Sequence, residues 1–271
     1  MNSTRAAQAI DSVRTDLKVP GRGIDVLEKG STTNHFINKL WNAEENRDVV
    51  NKFLNNDLCS VCAENKDPKA CLEWFQTYAI QDLFYLIDYL KFKALCLTAI
   101  PQGEVPTMAV EVESISKVPG YVTGWLHSCM QKIRISPERI AQEERSVAEL
   151  AYANYLQVEA SREDWFNGHV IMIARVYGWS ILAKELYDRP STDRSSVFYT
   201  EFILANIDTS DRVNNPDCLS KDARELSAFL DQNVNAWGNE IDQKKKWSSL
   251  FRTSFRLEVA LFHSAFSPYG A

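Results

Sequence analysis

The stretch DPKACLEWFQTYAIQDLFYLIDYLKFKALCL, from Asp67 to Leu97, does most to limit what this chain can fold into. Asp67 followed by Pro68 reads as an N-cap with proline at the first helical position, where a missing N–H costs nothing. No further glycine or proline interrupts the apolar periodicity before Leu97, so the reading is one long helix. Ten glycines and nine prolines in 271 residues leave few tight turns, which disfavours an all-β architecture. The expected fold class is all-α, a multi-helix bundle whose core the 45% apolar content can fill.

The same signals place the other helices. Met108 to Ile133 reads as a long segment that VPGY, Val118 to Tyr121, should kink or split. Ser136-Pro137-Glu138 repeats the cap-plus-proline pattern and opens a helix running to about Ala160. Ser161 to Asp164 caps the next, which runs to Tyr187 and is stopped by Pro190. Further helices fit Ser196 to Ile207, Ser220 to Asn239 and Lys245 to Phe266. Ahead of all of these, VPGRGID and EKGSTTN break every helical period, giving a loose N-terminal arm over residues 1–30 before a single helical domain over 31–271.

Composition excludes several partners. A net charge of -6 repels phosphate backbones, and no basic cluster exceeds DQKKKW around Lys244 to Lys246, so nucleic acid is not expected. No apolar run approaches the roughly 20 residues that span a bilayer, so no membrane is expected either. The polar N-terminus lacks an apolar signal core, and six scattered cysteines read as reduced thiols, which makes the expected location cytoplasmic. The CSVC at Cys59 to Cys62 has no second half-site. The histidines, His35, His127, His169 and His263, form no paired ligand pattern. Neither metal nor haem nor any other cofactor is expected.

Asp82 raises the question of function. Its helical neighbours are Tyr78, Ala79, Tyr85 and Leu86, an oily face on which an isolated carboxylate is costly. Glu258 repeats the situation in FRTSFRLEVALFHSAF, with Ser254, Phe255, Leu261 and Phe262 around it. Each acid is either a structural tie between helices or part of a polar cavity. Arg175, in the apolar run HVIMIARVYGWSILAKEL, reads as a structural counter-ion, because a buried guanidinium must find a carboxylate. Tyr177 in the same run faces Ile173, Ala174, Ser180 and Ile181, which by itself reads as a core tyrosine.

These segments, in this order, resemble the TenA family, the thiaminase II group with the haem oxygenase-like helical fold. The resemblance starts at Tyr78, Gln81, Asp82, Tyr85 and Leu86, continues through AYANYL with Tyr152, and passes Tyr177. It closes on Glu258, Phe262 and Ala265, covering residues 35 to 267. It implies a closed pocket in which Asp82 holds a substrate nitrogen, Tyr78, Tyr85, Tyr152 and Tyr177 bind a ring, and Glu258 is the general acid or base. It also implies a cysteine nucleophile four residues before the helix tyrosine, where this chain has Ile173, and an aromatic hydroxyl where it has Asn206. Thiaminase chemistry by covalent displacement is therefore not expected. Cysteine-less relatives hydrolyse aminopyrimidines in thiamin salvage, and others serve in biosynthetic gene sets.

Three functions follow as expectations. The first is a cofactor-free enzyme working by carboxylate acid/base catalysis on a C–N or C–O bond of a nitrogen heterocycle or polycyclic metabolite, as a tailoring enzyme of specialised metabolism. The second is an aminopyrimidine aminohydrolase. The third is a non-catalytic binding protein, which an Asp82 bonded to Arg175 would favour. The family resemblance also implies a homo-oligomer, dimer or tetramer.

Overall fold

The computed structural model describes residues 36–162, 164–237 and 241–267. The expected arm over 1–30, His35 and the Glu163 capping position lie outside them. Three short helices come first: α1 (Phe36–Asn42), α2 (Arg47–Leu54) and α3 (Asp57–Glu64). The long helix then forms as expected, α4 (Pro68–Thr98), with the Asp67 carboxylate accepting from Ala70 N at 3.1 Å.

Several expected helices are corrected. Helix α5 (Val105–Gln131) runs through Pro119 unbroken. Pro119 and Gly120 are exposed and Ile115, whose carbonyl loses the ladder bond that Pro119 cannot donate, is only half-buried, so the helix carries the proline at its surface. The helix expected from Ser136 to Ala160 is instead two, α6 (Pro137–Gln142) and α7 (Val147–Ala160). Ser146 starts the second as an N-cap, accepting from Glu149 N at 3.1 Å. Buried Gln81 holds the break open, accepting from Ser146 N at 2.8 Å and donating to the Glu144 carbonyl at 2.9 Å.

Asp164 caps α8 (Trp165–Ile171), which passes into a π-helical segment, Ile173–Gly178, and then α9 (Trp179–Asp188). A second π-helical segment, Tyr199–Ile203, and a 3-10 turn, Leu204–Asn206, replace the α-helix expected at Ser196 to Ile207. Helices α10 (Lys221–Trp237) and α11 (Ile241–His263) complete the bundle. Among the described residues the only β pairing is an isolated bridge between Ile207 and Leu219. No described helix is long and apolar enough to cross a membrane.

Helix α4 packs along α5 and α7, while α11 packs on α2, α7, α8 and the first π segment. Between them lies an aromatic core in which Phe53, Phe255, Phe262 and Phe202 are buried. Gly178 permits the closest approach there: a Cβ on it would stand 3.1 Å from the Phe255 ring. This draws the end of the π segment against α11 and puts the arginine of one beside the glutamate of the other.

Candidate functional site

Asp82 and Glu258 come together as their helical faces require, and both are buried. What joins them is Arg175. Its Nη2 donates to Asp82 Oδ1, and its Nη1 stands 3.8 Å from Glu258 Oε1. The guanidinium lies between two rings, 3.8 Å from the Tyr85 centroid and 4.2 Å from that of Trp179, so cation–π attraction adds to the ion pair. Glu258 accepts from the Tyr152 hydroxyl at 2.8 Å and from Trp179 Nε1 at 3.0 Å. Burial pushes the Glu258 carboxyl up, against the Arg175 charge and these two bonds. Burial likewise raises Asp82, against the pull of its Arg175 partner.

Of these groups, Asp82, Arg175 and Trp179 face a cavity of about 660 Å³. Tyr78, Asp82, Arg175, Trp179, Phe202 and Asn206 line it. A second depression of about 610 Å³, around Asn51, Asn56 and Arg256, touches none of the site residues expected from the sequence. Tyr85, Tyr152 and Glu258 stand behind the lining of the larger cavity rather than on it. Tyr85 and Tyr152 pack ring to ring at 4.9 Å, and Tyr152 serves Glu258 rather than the open space.

Tyr177 is corrected outright. It does not line the cavity; its ring packs on Trp41 at 5.9 Å and its hydroxyl reaches Asn38 Oδ1 at 3.5 Å. The reason is the π segment, whose i to i+5 bonding turns each residue through less rotation than an α-helix and shifts the inward face. Arg175 and Trp179 now share the four-residue spacing expected of Ile173 and Tyr177, and they face the site. Ile173 is fully buried in the apolar core. Neither position offers a thiol, and no cysteine lines the cavity. Burial pushes the thiols of Cys96 and Cys129 up to about 12, away from the thiolate a nucleophile needs.

Asn206 is on the lining, its Nδ2 donating to the Phe202 carbonyl at 2.8 Å. The aromatic side chain that this segment offers is Phe202, which has no hydroxyl. Arg175 is confirmed as a counter-ion, with Asp82 its partner.

The cavity lining carries a second polar cluster that the sequence did not mark as a site: Lys93, Glu111, His169 and Trp165. Lys93 Nζ pairs with Glu111, His169 Nε2 is 3.6 Å from Glu111 Oε2, and Trp165 Nε1 donates to the same oxygen at 3.3 Å. Burial works to raise Glu111, but His169 and the Lys93 ammonium outweigh it and hold the carboxyl down to about 2. Lys93 was legible, since it continues the α4 stripe of Asp82, Tyr85, Tyr89 at helical spacing. Glu111 and His169 carried no local signal.

Comparison with known proteins agrees with this architecture. The family model described as the TENA/THI-4/PQQC family matches residues 63–208, more than half of the chain. A TenA homologue from Pyrococcus furiosus superimposes with a TM-score of 0.65 at 20% identity, over 85% of this chain and 99% of that one. A TenA homologue from P. horikoshii gives 0.67 at 15%, over 86% and 98%. A TenA family transcription regulator from a Silicibacter species gives 0.64 at 17%, over 83% and 94%. At these identities the solved structures speak for the fold alone. No curated protein matches the chain.

Proposed function

The chain belongs to the TENA/THI-4/PQQC family, and from that premise we propose that it hydrolyses a C–N bond of an amino-substituted nitrogen heterocycle, with Glu258 as the proton-transfer group. The observation that carries this reading is Glu258 itself, a desolvated carboxyl held by Tyr152 and Trp179 directly behind the Arg175 and Trp179 lining of a ligand-sized cavity. In the proposed step water adds at the carbon bearing the amine. Glu258 takes the proton from the water and passes it to the leaving nitrogen; the C–O bond forms, the C–N bond breaks and ammonia departs. Glu258 meets the substrate past Arg175, whose unbranched side chain must turn aside. Asp82, freed by that turn, is left to hold a ring nitrogen, and Trp179 and Phe202 offer faces to the ring.

Aminopyrimidines are the substrates to try first, since they fit both the chemistry and the family. The tailoring role in specialised metabolism would use the same groups on another heterocycle, and nothing at the site singles it out. A second reading is favoured by the Asp82–Arg175 pair. With both inward acids partnered internally, the cavity would bind a small molecule and release it unchanged.

The test is ammonia and formate release from a panel of amino- and formylamino-pyrimidines, with Glu258→Gln beside the native protein. A loss of about a hundredfold or more in the variant, at unchanged ligand affinity, is the expected result. Full activity in Glu258→Gln removes the assigned role. Binding without turnover across the panel leaves the second reading.

A further inference from the structure

On α4, Lys93 follows Asp82 by eleven residues, close to three full turns and roughly 16 Å, so both lie on one face of the helix. The chain packed beside them runs back over the same stretch, from Arg175 in the π segment to His169 on α8. The cavity is therefore polar at two separate places, at Asp82 and Arg175 and again at Lys93, Glu111 and His169, with Leu86, Met172 and Val176 lining it between them. At about 660 Å³ it is of the size that holds drug-sized ligands, well beyond one pyrimidine ring. The two cations of the second place keep surface toward this space. The side chains of Lys93 and His169 are 6% and 13% exposed, and neither Lys93 Nζ nor His169 Nε2 is among the enclosed polar atoms without a hydrogen bond, as Glu111 Oε1 is. Glu111 Oε1 faces only one of the three ammonium hydrogens, and Glu111 Oε2, at 3.6 Å, is beyond hydrogen-bond length from His169 Nε2. His169 Nδ1 meets the Trp165 carbonyl at 3.0 Å, so as an imidazolium the ring has its Nε2 proton left to give. In that form two cations stand against one carboxylate, with donors to spare.

We propose that Lys93 and His169 bind an anionic group, a carboxylate or a phosphate ester, at the far end of an elongated ligand whose amino-substituted heterocycle lies against Trp179 and Phe202. The inference names the substrate class of the function proposed above and rests on it for where the heterocycle sits. It does not need turnover, and it leaves Arg175 free to turn aside and Asp82 free to hold a ring nitrogen. Hydrogen bonds from charged donors to an oxyanion are the strong ones, so the tail would supply binding that the bare heterocycle lacks. Glu111 is the internal counter-ion. Its charge weakens the attraction for an anion, but it faces Lys93 with one oxygen and His169 with the other, and so orients both before the ligand arrives. The His169 ring is further held by Trp165 at 4.7 Å and Phe229 at 4.4 Å.

Calorimetric titration of the full chain tests this with 4-amino-5-methylpyrimidine and with derivatives whose methyl is replaced by a hexanoate, hexyl phosphate or hexanamide chain. At least one anionic tail should bind about tenfold or more tightly than the amide, the size of a hydrogen bond to a charged group, and which tail does so identifies the anion. Lys93→Met should remove the preference. So should Lys93→Met combined with Glu111→Gln, which leaves no buried carboxylate unpaired; the ratio of anion to amide is read within each variant, with circular dichroism to confirm folding. Equal binding of the amide and both anions, a preference that survives in the double variant, or no binding by any probe overturns the proposal. Ammonia release from the methyl compound is followed separately. Turnover there without an anion preference would keep the hydrolase reading and discard this one, and an anion preference without turnover of any probe would do the reverse.

Discussion

Replacing Arg175 by methionine tests the central claim about the site, that one cation holds two buried acids. Asp82 is 4% exposed, Glu258 0% and Arg175 8%, so none of the three is well hydrated. Removing one member of a buried pair leaves an uncompensated charge, which costs about 3–5 kcal/mol. The stacking of the guanidinium between Tyr85 and Trp179 adds up to about 2 kcal/mol when desolvated, part of which the methionine stem recovers. The net expectation is a loss of about 4 kcal/mol at pH 7, out of a total stability of about 5–15 kcal/mol. The sign of the pH dependence follows from protonation. Without the cation, burial acts unopposed by Arg175 on Asp82, whose folded pKa rises further above 3.8, and on Glu258, whose folded pKa rises further above 4.5. An acid of raised folded pKa stabilises below its unfolded value, and that stability is lost as pH rises through the folded one. The variant's deficit should therefore shrink as pH falls from 7 to 5. Urea unfolding followed by circular dichroism at both values reads this, and Asp82→Asn in the Arg175→Met background should recover a part of the loss. A single variant within about 1 kcal/mol of the native protein at pH 7 would refute the account, since no buried pair behaves so.

Other predictions follow from the rest of the structure. Glu149 is fully buried with neither carboxylate oxygen hydrogen-bonded, and burial pushes it up to about 7 from 4.5, so its contribution is present below pH 4.5 and is lost as pH rises to about 7. Glu149→Gln should accordingly raise the urea midpoint at pH 8 relative to the native protein, with the advantage gone at pH 4. Gly168→Ala would bring a Cβ within 2.8 Å of Cys96 Sγ and 3.5 Å of the Phe92 ring, an overpacking worth about 1–3 kcal/mol that should outweigh the better helix propensity of alanine. Thermal melts of that variant with and without Cys96→Ala check it, the second change restoring stability if the clash is the cause. Arg175→Cys should be labelled by iodoacetamide above the background of the six buried native thiols, and Ile173→Cys should not. The reverse pattern would mean that the π segment does not set the register of this face.

The local devices of this chain were readable because they are local. Asp67, Ser136 and Asp164 cap helices by bonding to backbone three residues on, and apolar spacing alone turned Asp82 and Glu258 inward. Even the overlooked break before α7 had its signal in Ser146 and Glu149, a cap followed by its acidic partner. Exposed Pro119 misled because a proline's cost depends on whether the carbonyl it frees meets water, which is a matter of burial. The site is different in kind. Gly178, at the end of the π segment, lies close against Phe255, a residue remote in sequence, and in that arrangement Arg175 and Trp179 face Glu258 while Tyr177 turns to Trp41. Lys93 sat on a readable stripe, but its partner Glu111 comes from α5 and His169 from α8. A sequence states the period of each helix and so which residues point away from water; where two helices cross, and which buried charge finds which, is set by side-chain volumes meeting across the core.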